Sequence, residues 1–137
     1  MKKTLPTLSL IIIISAFYSC KKDAAVTIKG KWSWVENTAD TYNNGVLVDH
    51  EDVTKINPAA FCEFEDNNVF IENPPDSLGN LRYGTYTIKG DSLLILENGQ
   101  TEQAGNLIKT LTSSRLVLHR TFQSITSREE IEYTFKK

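Results

Sequence analysis

Hydrophobic and polar residues alternate along much of this chain. From Val26 to Trp34, apolar or small side chains take the even-numbered positions, and polar ones such as Lys29 and Lys31 fall between them. A period of two places successive side chains on opposite faces of a strand, so this stretch predicts a half-buried β-strand. Other apolar or alternating segments follow at intervals of about ten residues, as expected for short antiparallel strands. They are 46–48, 61–65, 69–72, 81–88, 92–98, 107–111, 115–122 and 129–137.

Turn-forming residues separate these segments. Short polar groups rich in Gly, Asn, Asp and Ser stand at 43–45, 66–68, 89–91 and 112–114. The longer stretch 73–80 contains two prolines, which remove backbone donors and predict a loop. Residues 49–60 offer at most one helical turn. The pattern predicts an all-β meander of about eight strands, either a closed barrel or a sandwich. We favour the barrel because closure removes exposed sheet edges.

The N-terminal segment breaks this pattern. Lys2 and Lys3 precede an apolar run from Leu8 to Tyr18, which is shorter than the roughly twenty residues that a spanning helix needs. Its length and flanks are those of a secretory signal. Ser19 then precedes Cys20, and an apolar run that ends in a small residue and Cys resembles the lipobox of bacterial lipoproteins.

The lipobox resemblance implies a division of the chain and a location. Residues 1–19 would be a removed signal peptide, Cys20 the acylated first residue, 20–25 a short tether and 26–137 the folded domain. Several acyl chains on one Cys hold a protein firmly on a membrane. Because Lys rather than Asp follows Cys20, the outer membrane is the expected site. The sequence does not distinguish its periplasmic face from its surface face. A plain signal peptide cut nearby and an uncleaved short anchor are the alternatives, because Phe17 and Tyr18 depart from the usual lipobox.

Charge and cysteine content narrow the possible partners. Removal of residues 1–19 leaves 13 basic side chains against 17 acidic ones, a formal charge of −4. This balance, without a clustered basic patch, argues against a nucleic-acid partner. If Cys20 is acylated, Cys62 is the one thiol left and no intrachain disulfide forms. Cys62 alternates with Phe64, so we expect it to be a small buried apolar group.

Three motifs carry a family resemblance. The tripeptide Gly30–Trp32 opens the first expected strand and is similar to the Gly-x-Trp motif of lipocalins. The expected hairpins 83–95 and 111–120 resemble those of lipocalin-like lipoproteins of the Bacteroidota. The resemblance spans about 28–135, and the Thr-Asp-Tyr signature of lipocalins is absent. It implies an up-and-down barrel in which Gly30 and Trp32 close one end and Arg120 covers the indole.

The expected barrel interior is rich in bulky side chains. The inward-facing set is Trp32, Trp34, Phe64, Tyr86, Ile88, Leu116, Leu118 and Tyr133. An eight-stranded barrel is just wide enough to be filled by its own side chains or to hold one small molecule, and both outcomes stay open. An aromatic and aliphatic lining favours an apolar ligand over a sugar phosphate or a metal. The possible ligand-lining residues are Trp34, Phe64, Tyr86, Leu116, Leu118 and Tyr133.

Catalytic motifs give little support for an enzyme. His50 lies within Asp49–Asp52, a group able to bind a divalent ion, but a solvated loop is the simpler interpretation without a second cluster. His119 is expected on the outer face of its strand, and no phosphate loop or nucleophile motif occurs. We therefore expect no catalytic residues, no metal and no cofactor. The predicted function is a membrane-anchored lipoprotein that binds a small apolar ligand; the alternative is an interaction module whose loops 37–45 and 73–80, or outer face, contact a protein.

Overall fold

The described part of the chain is a single antiparallel sheet. In a computed structural model, residues 26–137 are described; the predicted signal peptide, Cys20 and the tether 20–25 lie outside them. The strands are β1 (Gly30–Asn43), β2 (Val46–Val53), β3 (Phe61–Phe64), β4 (Val69–Asn73), β5 (Arg82–Lys89), β6 (Ser92–Glu97), β7 (Ala104–Leu111), β8 (Arg115–Gln123) and β9 (Ser127–Lys136). A short 3-10 turn, Asp66–Asn68, joins β3 to β4. Across residues 26–137, no helix has the length and apolar character needed to cross a bilayer.

Eight of the strands close into a barrel. Each strand from β3 to β8 pairs with the next strand along the chain, and β1 pairs with both β3 and β9, which closes the ring. The ninth strand, β2, is an addition: it pairs with the far half of β1, Asn37–Asn43, on the edge that β3 uses at Gly30–Ser33. The predicted all-β up-and-down barrel is therefore confirmed, and the sandwich alternative is not what the chain forms.

The first two strands are longer than the sequence pattern predicts. β1 continues nine residues past Trp34, and β2 includes the acidic stretch Asp49–Asp52, which was expected to be a solvated loop. β2 lacks apolar alternation because both of its faces are exposed, and the extension of β1 is half-buried almost throughout, so neither extension has one clearly buried face. Backbone pairing holds them instead, with β1 bonded along Ser33–Asn43 to β9 and along Asn37–Asn43 to β2. The remaining strands lie within a few residues of their expected positions.

One end of the barrel is closed by a packed core. The largest fully buried side chains are Trp32, Phe64, Leu93, Leu116 and Cys62. Ile28 is buried with them, and its carbonyl accepts a 2.6 Å hydrogen bond from the Trp32 indole N–H. We call this end of the barrel, where β1 begins and β9 ends, the closed end, and the opposite end, near the β4–β5 loop, the open end.

The cation over the Trp32 indole is Lys137, not Arg120. Lys137 Nζ lies 4.4 Å from the ring centre and donates a 2.8 Å hydrogen bond to the Lys29 carbonyl. The expected role of Arg120 is wrong because of strand direction. β8 starts at the closed end with Arg115 and runs toward the open end, so Arg120 lies away from Trp32. β9 runs in the opposite direction and ends at the closed end, where Lys137 follows it.

Gly84 lies where β5 and β6 approach each other too closely for a side chain. A Cβ at this position would lie 2.3 Å from the Leu96 carbonyl oxygen and 2.9 Å from the Glu97 Cα, both backbone atoms of β6. A backbone atom in a closed barrel has no room to withdraw, so only glycine fits here.

Gly84→Ala should destabilise the fold by at least about 1–3 kcal/mol, the range seen for overpacked cores. Gly105→Ala is a matched control, because a Cβ there meets only the Leu94 Cδ2 atom at 3.7 Å. Its free energy of unfolding should change by less than about 1 kcal/mol, with a small gain from the stiffer unfolded chain. Urea unfolding of both variants measures the difference, and equal effects would contradict the packing argument.

Candidate binding cavity

A cavity of about 260 Å³ lies inside the barrel above the closed-end core. Its inner wall is aromatic and aliphatic, and its outer wall is charged and polar. The inner wall consists of Trp34, Cys62, Phe64, Phe70, Ile95, Leu118 and Phe135. The outer wall consists of Asn37, Glu72, Arg82, Glu97, Asn106, Arg120 and Tyr133, which we call the polar layer, with Pro74, Pro75 and Asp76 from the β4–β5 loop beside it.

The polar layer arises from the strand period. Residues two apart on a strand share a face, so each inward position near the open end follows an inward position deeper in the barrel. β4 passes from Phe70 to Glu72, β6 from Ile95 to Glu97 and β8 from Leu118 to Arg120, and all six side chains line the cavity. The same change from apolar to charged on three strands produces a layer at one height. Asn37 belongs to this layer on β1, beyond the irregularity at Trp34–Glu36.

Glu72 is the most perturbed carboxylate of the layer. Its side chain is 14% exposed, and Arg82 Nη1 lies 3.5 Å from its Oε2 while Arg82 Nη2 lies 3.7 Å from Asp76 Oδ2. Burial raises the pKa of Glu72 to about 7, and the neighbouring Glu97 carboxylate adds to this rise. Arg82 and Arg120 oppose it without cancelling it. The loss of solvation therefore outweighs the ion pair.

Buried polar atoms without partners belong to three residues of the cavity wall. Arg120 Nε donates a 3.0 Å hydrogen bond to Asn106 Oδ1, which fixes the orientation of that amide because a guanidinium only donates. Within residues 26–137, the Asn106 Nδ2 atom, the Trp34 indole Nε1 and the Asn37 Oδ1 are buried without a hydrogen-bond partner. All three residues line the cavity. Buried polar atoms are rarely left unpaired, so these atoms indicate room for a partner from outside the chain.

Comparison with known proteins identifies the fold family. The sequence of residues 28–118, well over half of the chain, matches the family described as a lipocalin-like domain. The chain belongs to the lipocalin-like domain family. No curated protein sequence matches this lipocalin-like chain.

Two solved structures resemble this lipocalin-like domain. One is a lipocalin-like protein from Bacteroides uniformis, 18% identical, with a TM-score of 0.50 over 80% of this chain and 96% of that one. The other is an uncharacterized protein from Bacteroides eggerthii, 17% identical, with a TM-score of 0.51 over 80% of this chain and 98% of that one. At these identities the likeness concerns the fold, and it agrees with the expected lipocalin-like barrel.

The residues expected to line a ligand site divide into two groups. Trp34, Phe64, Leu118 and Tyr133 lie on the cavity wall. Leu116 and Tyr86 are buried in the core but are not on that wall, and the Tyr86 hydroxyl donates to the Glu65 carbonyl at 3.1 Å. Ile88, expected inside, is 43% exposed near the end of β5.

Sequence reasoning did not find most of the polar layer. Glu72, Arg82, Glu97 and Asn106 were not among the expected site residues, although Arg120 was named for a different role. The signal was present in the sequence, because Glu72 and Glu97 each follow a buried apolar residue at a spacing of two. A charged residue in phase with buried ones, repeated on several strands, indicates a polar layer inside a barrel.

The other chemically active side chains lie outside the polar layer. His50 Nδ1 pairs with Asp40 Oδ1 at 2.6 Å across β1 and β2, and this exposed pair raises the pKa of His50. His119 Nε2 lies 3.2 Å from the Thr121 hydroxyl. Burial raises the pKa of the Cys62 thiol well above its usual value, as befits a small buried group on the inner wall. Nowhere in residues 26–137 do three or more His, Cys, Asp or Glu side chains group as a metal site.

The pKa of Glu72 gives a testable dependence of stability on pH. Because its folded-state pKa of about 7 exceeds the ordinary 4.5, the folded chain binds this proton more tightly than the unfolded chain. The resulting stabilisation is complete below about pH 4.5 and is lost as the pH rises through about 7. Glu72→Gln removes this loss. The free energy of unfolding of the variant, relative to that of the wild type, should therefore rise by about 3 kcal/mol from about pH 4 to about pH 8.

Urea unfolding across this pH range measures the difference between the two proteins. Glu51→Gln, on the exposed strand β2, is the matched control and should follow the wild type. A Glu72→Gln curve parallel to the wild-type curve would contradict the buried carboxylate.

Proposed function

We propose that the mature chain is a lipid-anchored lipoprotein of the outer membrane whose barrel binds one small molecule with an apolar body. The observation that carries the proposal is the cavity, which has an apolar inner wall, a closed end sealed by Trp32 and a polar outer wall. A barrel filled by its own side chains would have left no such space. Its volume is slightly below the roughly 300 Å³ at the lower end of ordinary ligand pockets, which suits a small ligand.

The composition of the wall supports a ligand that is apolar at its inner end. Phe64 packs against Phe70 at 5.4 Å between ring centres, and Trp34 packs against Phe135 at 4.5 Å. These rings offer flat apolar surface, whose burial stabilises a complex by about 25 cal/mol per Å². The polar layer then contacts the outer end of the same ligand.

The position of the domain's first residues supports an orientation at the membrane. Residues 26–29 lead into β1 at the closed end, where Ile28 is buried. The tether 20–25 spans at most about 20 Å at roughly 3.5 Å per residue. An acylated Cys20 would therefore keep the start of β1, at the closed end, within about 20 Å of the lipid.

We assign the cavity to binding rather than to catalysis. Glu72 has a pKa near neutrality, but it faces Arg82 at 3.5 Å. The nearby Cys62 thiol is a poor nucleophile, because burial raises its pKa and keeps it protonated. Because Glu72 is paired with Arg82 and the Cys62 thiol stays protonated, we assign these groups to recognition of a ligand and not to a reaction.

A protein-interaction module is the second candidate, and one surface supports it. Val46, Leu47 and Val48 are 50–65% exposed on β2, whose other edge has no strand partner within residues 26–137. An apolar strand with a free edge is the geometry of docking by strand addition. The predicted contact loop 37–45 is mostly strand β1, and its turn at Asn44–Gly45 adjoins this surface.

Native mass spectrometry of the protein extracted from membranes in mild detergent tests both parts of the proposal. The expected result is an acylated Cys20 and one non-covalently retained small molecule. Leu118→Trp fills the cavity and should abolish ligand retention while leaving acylation intact. Leu107→Trp, on the exposed face of β7, is the matched control and should keep both. A wild-type protein without any retained molecule would favour the interaction module, and an unmodified Cys20 would refute the anchor.

A further inference from the structure

We propose that the outer wall of the cavity is a carboxylate site, so that the ligand is a small amphipathic acid with its apolar body on the inner wall. The site is formed by Trp34, Asn106 and Arg120. The inference rests on the proposed binding function and names the chemical class of its ligand.

Two buried N–H groups define the site. The Trp34 indole can only donate a hydrogen bond, and the Asn106 amide is held by Arg120 so that its NH₂ group remains available. Both residues are more than nine-tenths buried, at 9% and 4% exposure, and neither nitrogen has a partner within residues 26–137. Both line the same cavity. A ligand that satisfies them must present acceptor atoms.

Arg120 adds a positive charge to these donors. Arg82 already faces two carboxylates, at 3.5 Å from Glu72 and 3.7 Å from Asp76. By contrast, none of the ion pairs within residues 26–137 involves Arg120. Its Nε holds Asn106, and its guanidinium lies about 6 Å from the Tyr133 ring. A planar guanidinium pairs best with a planar carboxylate, through two parallel hydrogen bonds.

The competing ligand classes leave groups of this wall unsatisfied. An amine would be attracted to Glu72 and Glu97, but it would leave the N–H groups of Trp34 and Asn106 without acceptors. A neutral amide offers one acceptor oxygen and no charge for Arg120. Water molecules can satisfy the donors, but they carry no charge, and Arg120 is otherwise balanced only from a distance by Glu72, whose pKa it lowers. A carboxylate supplies several acceptor sites and the opposite charge at once.

The test compares three probes with the same apolar body and different head groups. They are 4-phenylbutyrate, 4-phenylbutanamide and 4-phenylbutylamine, titrated calorimetrically into the full-length mature protein in detergent. The carboxylate should bind about tenfold or more tightly than the amide, because hydrogen bonds to charged groups exceed neutral ones by that order. The amine should bind most weakly.

Variants then assign the preference to named groups. Arg120→Gln should reduce the affinity for 4-phenylbutyrate about tenfold or more and leave that for the amide almost unchanged. Arg115→Gln removes the same charge from the exposed start of β8 at the closed end, and its affinities should match the wild type. Trp34→Phe keeps an aromatic body but loses the N–H, so it should also lower the affinity for 4-phenylbutyrate. This variant replaces Arg120→Gln as the test if Arg120→Gln does not fold.

The outcomes separate this inference from the proposed function. If none of the three probes binds the wild type, the cavity does not accept a small apolar body, and both the binding function and the carboxylate site fail. If all three bind with equal affinity, or the amine binds best, the binding function stands and the carboxylate site is refuted. An acid preference that survives in both Arg120→Gln and Trp34→Phe would likewise refute it.

Discussion

The pairing of β1 with β9 is the constraint on which the rest of this molecule depends. These strands are the first and the last of the domain, and they run side by side from Ser33 to Asn43 on β1. Without this ladder, the chain would be an open sheet with two long free edges and an apolar face in water. With it, every inward side chain meets the others around one axis. The same pairing carries Lys137 to the closed end, where its ammonium group lies over the Trp32 indole.

The polar layer is a consequence of closure and also a burden on stability. The inward-facing positions of β4, β6 and β8 change from apolar to charged toward the open end. Glu72, Glu97 and Arg120 therefore line the cavity at one height above the apolar wall. Desolvation of Glu72 raises its pKa to about 7, so its charged form destabilises the folded chain at neutral pH. Unpartnered N–H groups of Trp34 and Asn106 add to this cost. A core optimised only for stability would place apolar residues here, and the retention of polar groups in a cavity is typical of a functional site.

The alternation of side chains predicted most of the fold, because a strand buried on one face records its period in the sequence. It failed where no single face is clearly buried: the far half of β1 is half-buried almost throughout and β2 is exposed, so both are held by backbone pairing, which leaves no pattern in the side chains. Trp34, Phe64, Leu118 and Tyr133 were predicted on the inner face and lie on the cavity wall. The polar layer and the identity of the cation over Trp32 were not predicted, since both depend on the height that a residue reaches along the barrel. That height follows from strand register, which single strands do not reveal.

The proposed ligand of the barrel is an amphipathic acid whose head group points outward, against the polar layer. A crystal structure of the protein grown with saturating 4-phenylbutyrate tests this proposal most directly. Density for the phenyl ring is expected on the inner wall beside Phe64 and Phe70. The carboxylate oxygens should lie within about 3.2 Å of the Trp34 Nε1, the Asn106 Nδ2 and the Arg120 guanidinium, the outer limit of an ordinary hydrogen bond. A cavity occupied by water alone, or a probe bound with its carboxylate away from these three groups, would contradict it.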